Sequence, residues 1–163
     1  MLVLGIDPGT ATTGYGLVRQ AADGSLEAVD FGAILTPAGM PMPDRLASLY
    51  EQLQAIILLH RPDSSAVEKL FFQKNVKTAL SVGQGRGVVL LALAQANLPV
   101  GEYTPNEIKQ AVTGYGSAGK QQMQEMVRLL LGLEHQPKPD DAADALAVAI
   151  CHLHSSHYQS LVE

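Results

Sequence analysis

The side chains of this sequence whose positions indicate a catalytic or metal-binding role are carboxylates. Asp7 ends the apolar run LVLGID and Glu68 ends the run SSAVE, so each lies where a buried strand would finish. In DDAADALAVAI, Asp144 lies among alanines, three residues after Asp141 and four after Asp140. Burying an unpaired carboxylate costs on the order of several kcal/mol. We therefore expect these side chains to share a cation that offsets their charge.

Hard divalent cations suit a set of ligands made only of carboxylate oxygens. Mg²⁺ and Mn²⁺ both prefer such ligands. Four carboxylates supply four negative charges, which two divalent ions would neutralise. Two ions about 3.5–4 Å apart activate water and stabilise the leaving oxygen in phosphodiester hydrolysis. The acidic residues therefore predict a phosphodiester hydrolase that uses two metal ions.

Helical geometry does not decide whether Asp140 or Asp141 is the fourth carboxylate of the set. Asp141 and Asp144 would share one face of a helix, with side chains roughly 5–6 Å apart. Asp140 would share that face with Asp144 as well, although it also stands where a residue caps the start of the last helix.

The C-terminal histidines are not expected to bind zinc. His152, His154 and His157 have no cysteine pair beside them, and we interpret them as part of a solvated tail. Residues from about 155 to 163 are predicted to be mobile. The only cysteine, Cys151, excludes an internal disulfide and favours a reducing, cytoplasmic location.

The elements that must position these residues follow from the period of the apolar positions. The predicted strands cover residues 2–7, 12–18, 26–35, 64–68 and 99–103. The predicted helices start at Pro43-Asp44, Val76, the capping box Thr104–Glu107, Ser117 and Asp140, and the last two are capped by Ser117 and Asp140. The last helix is expected to end at His152.

This order of elements predicts the fold class. It indicates one α/β domain over residues 1–163, with a mixed five-stranded sheet flanked by helices. Three strands form an antiparallel meander, and β/α units follow. No apolar run reaches the roughly 18 residues of a membrane span, so no membrane association is expected. The formal net charge of −5 argues against a general nucleic-acid binder, because phosphate contacts need lysine and arginine.

Several separated motifs together resemble one family, the RuvC Holliday-junction resolvases. They arrive in order over residues 2–154, and they are IDPGTATTGYG, AVEKLFF, SVGQGRG, YTPNEIKQAVTGYGSAGK and DDAADALAVAICH. The resemblance implies an RNase H-like fold. It also implies a Mg²⁺-dependent endodeoxyribonuclease of DNA recombination and repair, with two ions per active site that Mn²⁺ can replace.

The resemblance further implies how the enzyme acts on four-way (Holliday) junctions. A homodimer would place two active sites on one junction and nick two strands of like polarity at symmetric positions, with a short thymine-centred preference. A branch-migration motor of RuvA and RuvB would deliver the junction. The family's DAAD pattern selects Asp141, so the implied catalytic and metal-binding residues are Asp7, Glu68, Asp141 and Asp144.

The resemblance also implies residues that contact DNA. Phe71 corresponds to the aromatic that stacks on an unpaired base, a contact worth roughly 1–3 kcal/mol per base. Lys109 and Lys120 match basic residues used against the DNA backbone. We add Lys74, Lys77 and Arg86, which follow the Glu68 strand and would flank the cleft. Gly83, Gly85 and Gly87 are expected to be helix-packing positions at a dimer interface.

Two other functions fit parts of the sequence. The segment GYGSAGK resembles a phosphate-binding loop, but Gln121 replaces the hydroxyl that binds Mg²⁺, and the glycines follow a helix instead of a strand. IDPGTATTG also resembles the phosphate loop of actin-like ATPases, which need two such domains to enclose ATP. The other possibility is a junction-binding module without catalysis. The presence of all four carboxylates favours a cleaving enzyme.

Overall fold

The computed structural model describes residues 1–9, 11–69 and 76–162, which form five strands and five helices. In chain order the elements are β1 (Leu2–Asp7), β2 (Thr12–Gln20), β3 (Leu26–Leu35), α1 (Met42–His60), β4 (Ser64–Glu68), α2 (Val76–Gln95), β5 (Val100–Tyr103), α3 (Pro105–Thr113), α4 (Lys120–Leu130) and α5 (Asp140–Val162).

The strands form one mixed sheet with the order β3-β2-β1-β4-β5. β1 pairs antiparallel with β2, and β2 pairs antiparallel with β3, which confirms the predicted meander. β4 joins the other side of β1 in parallel, and β5 joins β4 in parallel. The predicted five-stranded α/β architecture is therefore correct.

The central strand β1 is buried on both faces of the sheet. Leu4 and Ile6 belong to a cluster with Leu53 of α1 and Val89 of α2. Val3 belongs to the opposite cluster, which is built largely from α5. Because successive side chains alternate between faces, Asp7 lies on the α5 face with Val3.

Glycines in the first two strands allow helix α5 to pack unusually close to the sheet. A Cβ on Gly5 would lie 2.1 Å from the carbonyl oxygen of Ala145, and one on Gly14 would lie 1.9 Å from that of Asp141. Any side chain at these positions would push the helix away. The strand sequence therefore sets the depth of α5 and, with it, the position of the acidic residues in its first turns.

Several helix boundaries differ from the prediction. The last helix starts at Asp140 itself, and the carbonyl of Pro139 accepts from the amides of Ala142 and Ala143, so Asp140 lies inside the first turn and the prediction that it caps the helix is wrong. Helix α4 starts at Lys120 after Gly119, so the prediction that Ser117 caps it is wrong. Helix α5 continues to Val162, and residues 155–162 therefore belong to it, while their predicted mobility stays a prediction.

His152 is buried, so its assignment to a solvated tail is wrong. Its Nε2 lies 2.8 Å from the hydroxyl of Ser64 on β4, and its Nδ1 lies 2.8 Å from the hydroxyl of Tyr103 on β5. Burial lowers the pKa of His152 and so favours the neutral form of the ring. The histidine therefore ties α5 to the two strands that end beside the acidic residues.

Over residues 1–9, 11–69 and 76–162, no helix combines the length and the apolar character that crossing a membrane requires.

Candidate active site

The sheet brings Asp7 and Glu68 together. β1 and β4 run in parallel, and their register pairs Ile6 with Val67, so the next residue of each strand is a carboxylate at the same end of the sheet. Each of the two carboxylates affects the pKa of the other, so they lie close together. Ligand sites of α/β sheets lie at this carboxyl edge of the strands.

Helix α5 adds two further carboxylates. Oxygen atoms of Asp7, Asp141 and Asp144 all lie within 4.8 Å of one another. The three aspartates are partly buried, and they offer only hard oxygen ligands, which suits Mg²⁺ or Mn²⁺. The geometry thus fits a divalent metal site where β1 ends and α5 begins, and Glu68 of β4 lies next to this group without belonging to it.

The electrostatics of the cluster support the same interpretation. Burial, and then the charges of Glu68, Asp144 and Asp141, raise the pKa of Asp7 to about 8. Burial and the charge of Asp144 raise the pKa of Glu68, against the opposing effect of Lys109. These carboxylates therefore repel one another in a partly dehydrated place, and a bound cation would stabilise their ionised forms.

Asp140 makes its contacts outside the cluster of carboxylates. Its carboxylate is 3.0 Å from the ammonium of Lys120 and 3.3 Å from that of Lys138, and it accepts a hydrogen bond from the buried amide of Gln124. The contacts with Lys120, Lys138 and Gln124 hold the pKa of Asp140 below its usual value. Of the two residues that the sequence left open, Asp141 is the one that the geometry joins to Asp7 and Asp144.

A cleft of about 310 Å³ opens beside the carboxylates. Glu68 and Asp144 lie on its wall together with Lys109 of α3 and Lys120 of α4. The remaining lining is mostly small or apolar and comes from Pro105, Ile108, Ala118, Gly119, Met123 and Ala147. The structure therefore brings both predicted lysines to the acidic residues, where a phosphodiester backbone could meet ammonium groups and carboxylates together.

The other predicted DNA-contacting residues have different outcomes. Arg86 of α2 forms an ion pair with Glu102 of β5, and its side chain is 14% exposed. Phe71 and Lys74 lie outside the described residues, as does the side chain of Lys77. The DNA-binding roles of all four stay predictions.

Sequence reasoning missed the network around Asp140. Lys120 and Gln124 are four residues apart, which places them on one face of α4, but nothing local to α4 indicates that this face meets the start of α5. The only signal of this network in the sequence was Lys120, which lies in the first turn of α4, where no acidic residue accompanies it. Such a charge is unfavourable at a helix N-terminus, which indicates a partner elsewhere in the fold.

Strand order, mixed pairing and the acidic cluster together define the class of protein. The chain has the RNase H-like α/β fold, with carboxylates where β1 and β4 end and α5 begins. Within that class the chain belongs to the RuvC family, because the family model described as crossover junction endodeoxyribonuclease RuvC matches residues 3–152.

Relatives and solved structures agree with this assignment. The chain is 64% identical over 156 residues to the crossover junction endodeoxyribonuclease RuvC of Chloroflexus aggregans, covering 96% of this chain and 94% of that protein. It is 56% identical to the RuvC of Syntrophomonas wolfei, over 100% of this chain and 94% of the relative. A structure of T. thermophilus RuvC in complex with Holliday junction substrate superposes with a TM-score of 0.89 at 32% identity, covering 97% of this chain and 96% of the other.

Proposed function

We propose that this protein is a Holliday-junction resolvase of DNA recombination and repair, which hydrolyses phosphodiester bonds at paired, symmetric positions on two strands of like polarity. The observation that carries the proposal is the cluster of Asp7, Asp141 and Asp144 beside Glu68, at the edge of a cleft with two lysines. The family match over residues 3–152 supplies the substrate class.

The four carboxylates Asp7, Glu68, Asp141 and Asp144 are proposed to hold two Mg²⁺ ions, which Mn²⁺ can replace. Bound ions would supply an activated water and stabilise the leaving oxygen. The residues of the chain contribute by binding and orientation. Asp7 is the central group because Glu68, Asp144 and Asp141 all act on its ionisation. Burial and these charges raise its pKa to about 8 in the metal-free protein, so a bound cation would displace a proton from Asp7.

The lysines of the cleft are proposed to hold the DNA backbone. Lys109 and Lys120 line the same cleft as Glu68 and Asp144, so a phosphate between them would lie next to the carboxylates. By family resemblance, Phe71 stacks on an unpaired base near the junction centre, which needs no particular sequence. Lys74, Lys77 and Arg86 remain proposed contacts to the strands that flank the cut.

A homodimer is proposed because the resolvase must cut two strands, and helix α2 carries a surface that a second copy would cover. Val76, Leu80 and Leu91 are exposed on this helix. Among the described residues, no atom lies within 4 Å of a Cβ built on Gly83 or Gly87. The spacing of four, three, four and four residues places all five on one face, which we call the α2 stripe. Gly85 does not belong to this stripe, because a Cβ there would lie 3.3 Å from the carbonyl oxygen of Gly9 in the same copy, so its predicted place at a dimer interface is wrong.

The cellular setting is proposed from the same family assignment. The junction would be delivered by the RuvA-RuvB branch-migration complex. A cytoplasmic location fits an enzyme of bacterial DNA, and it fits the buried free thiol of Cys151, which a reducing compartment preserves.

Cleavage of a synthetic mobile four-way junction tests the proposed function. The protein is incubated with the junction or with a linear duplex, in Mg²⁺ or in EDTA, beside an Asp7→Asn variant. We expect paired nicks on the junction alone, only in Mg²⁺, and none with Asp7→Asn although junction binding survives. Junction binding without cleavage in Mg²⁺ or Mn²⁺ would indicate a binding module, and no junction binding at all would contradict the proposal.

A further inference from the structure

The carboxylate of Asp140 lies outside the cleft lining and contacts three donors, one of which, Lys120, lines the cleft. Its Oδ1 accepts from the Nε2 of Gln124 at 3.0 Å and lies 3.3 Å from the Nζ of Lys138. Its Oδ2 lies 3.0 Å from the Nζ of Lys120. Gln124 is only 3% exposed, so its amide has a fixed position. A fixed donor on one oxygen orients the other oxygen toward Lys120.

Lys120 occupies a position that its own helix disfavours. It is the first residue of α4, Gly119 before it provides no side-chain cap, and the first turn has no acidic residue. The positive end of the helix dipole repels an ammonium group there. Asp140 offsets this repulsion from the neighbouring helix, and its contact raises the pKa of Lys120.

The held lysine faces the acidic cluster. Lys120 lines the cleft with Glu68 and Asp144, and its charge opposes the rise in the pKa of Asp144 that burial causes. An exposed lysine without a partner samples many rotamers, and fixing it costs up to about 2 kcal/mol of side-chain entropy. Because the contact with Asp140 already limits those rotamers in the free protein, less side-chain entropy is lost when the substrate binds.

We propose that Asp140 is a positioning residue, which holds the ammonium group of Lys120 beside the catalytic carboxylates so that it meets a substrate phosphate there. Asp140 itself binds neither metal nor substrate in this role. The role rests on the proposed junction-cleaving function, and it extends that function to a carboxylate outside the DAAD motif. Lys138 shares the carboxylate of Asp140 but does not line the cleft.

The discriminating variant is Asp140→Asn, which keeps an oxygen for Gln124 and removes the charge. We expect single-turnover cleavage of a saturating four-way junction in Mg²⁺ to slow about fivefold, which is the scale of a well-oriented ion pair. Junction affinity should stay equal or become tighter, because one negative charge leaves the DNA-binding face. If Asp140→Asn only removed repulsion between Asp140 and the DNA, cleavage would not slow. If it damaged the fold in general, junction binding would weaken as well.

A double-mutant cycle with Lys120→Gln shows whether Asp140 acts through this lysine. In the Lys120→Gln background, Asp140→Asn should cause no further loss of rate, and Asp140→Glu in the normal background should keep most of the rate. Lys138→Gln is the matched control and should cleave normally. A normal rate for Asp140→Asn, or equal losses with and without Lys120, would overturn the proposal.

An activity-independent measurement separates this role from the proposed function. NMR relaxation of the Lys120 ammonium group in the metal-free protein should show an ordered group that becomes mobile in Asp140→Asn and stays ordered in Lys138→Gln. Unchanged order in Asp140→Asn would overturn the positioning role even if the enzyme cleaves junctions. An ordered group in a protein that cleaves nothing would instead contradict the proposed function.

Discussion

At the scale of single residues, Asp7 shows a conflict between folding and function. The side chain is held among three other carboxylates in a partly buried place, which raises its pKa to about 8. The folded metal-free protein therefore binds this proton more tightly than the unfolded chain, whose aspartate has a pKa near 3.8. The resulting stabilisation is full below the unfolded-state pKa and is lost as the pH rises through about 8.

Asp7→Asn should therefore stabilise the metal-free protein at high pH. In EDTA at pH 8.5 we expect the variant to melt several degrees above the wild type, since 1 kcal/mol moves the Tm of a domain of this size by about 2–4 °C. At pH 5 the difference should shrink, because Asp7 is then protonated. Added Mg²⁺ should raise the Tm of the wild type and leave the variant nearly unchanged. Differential scanning calorimetry measures both effects.

Glu51→Gln is the matched control for this experiment. Glu51 is an exposed residue of α1, which packs on the face of the sheet opposite α5, so the variant changes the net charge equally without touching the cluster. Its Tm should follow the wild type at both pH values. A wild-type Tm that is insensitive to Mg²⁺ would contradict the assignment of Asp7 to a metal site.

His152 stabilises the fold through contacts with two hydroxyls, one on the buried Ser64 and one on the partly buried Tyr103. Replacing it by leucine would leave the hydroxyls of Ser64 and Tyr103 without the ring nitrogens that they contact. We expect His152→Leu to lower the free energy of unfolding by about 2–4 kcal/mol, measured by urea denaturation. His135→Leu, at an exposed position, should change it by less than about 0.5 kcal/mol. Equal effects of the two variants would show that the buried network contributes nothing.

At the scale of secondary-structure elements, the depth of α5 against β1 and β2 sets the site. Gly14→Ala would place a methyl group 1.9 Å from the carbonyl oxygen of Asp141, so the helix must move outward. We expect a loss of about 2–3 kcal/mol of stability, as for an overpacked core, with cleavage reduced at least tenfold because Asp141 moves with the helix. Urea denaturation and junction cleavage check the two effects.

Gly39→Ala provides the comparison for Gly14→Ala. A Cβ at Gly39 would meet no atom within 4 Å among the described residues, so stability and cleavage should stay close to those of the wild type. Normal cleavage by Gly14→Ala would mean that the position of Asp141 is set by something other than the close packing of α5.

Local sequence signals predicted most elements correctly and failed where the partner is distant in sequence. The bounds of β1, β3 and β4 and the capping box before α3 were correct, since apolar alternation and capping are local patterns. The burial of His152 was missed because its partner Tyr103 is 49 residues away. Helical spacing left Asp140 and Asp141 equivalent. In the structure Asp140 contacts Lys120 and Lys138, whereas Asp141 lies with Asp7 and Asp144.

At the scale of the whole molecule, the α2 stripe is the feature that a single copy leaves unexplained. From Val76 to Leu91 the stripe is about 22 Å long, and its glycines would let a second helix approach closely. Two copies joined along this surface would have related active sites, as paired nicking of one junction requires. A single active site would have to release the junction and bind it again between the two cuts.

Leu80→Glu tests the stripe as the dimer interface. Leu80 is 64% exposed, so a charge there should leave the monomer folded, but it would be buried and unpaired in the dimer. We expect sedimentation to show a dimer for the wild type and a monomer for the variant at micromolar concentration, with junction nicks that are no longer paired. Leu58→Glu, at a similarly exposed leucine of α1, should stay dimeric. A dimeric Leu80→Glu that still cuts both strands together would place the interface elsewhere, whereas a wild-type monomer with paired cutting would mean that the junction itself assembles the two copies.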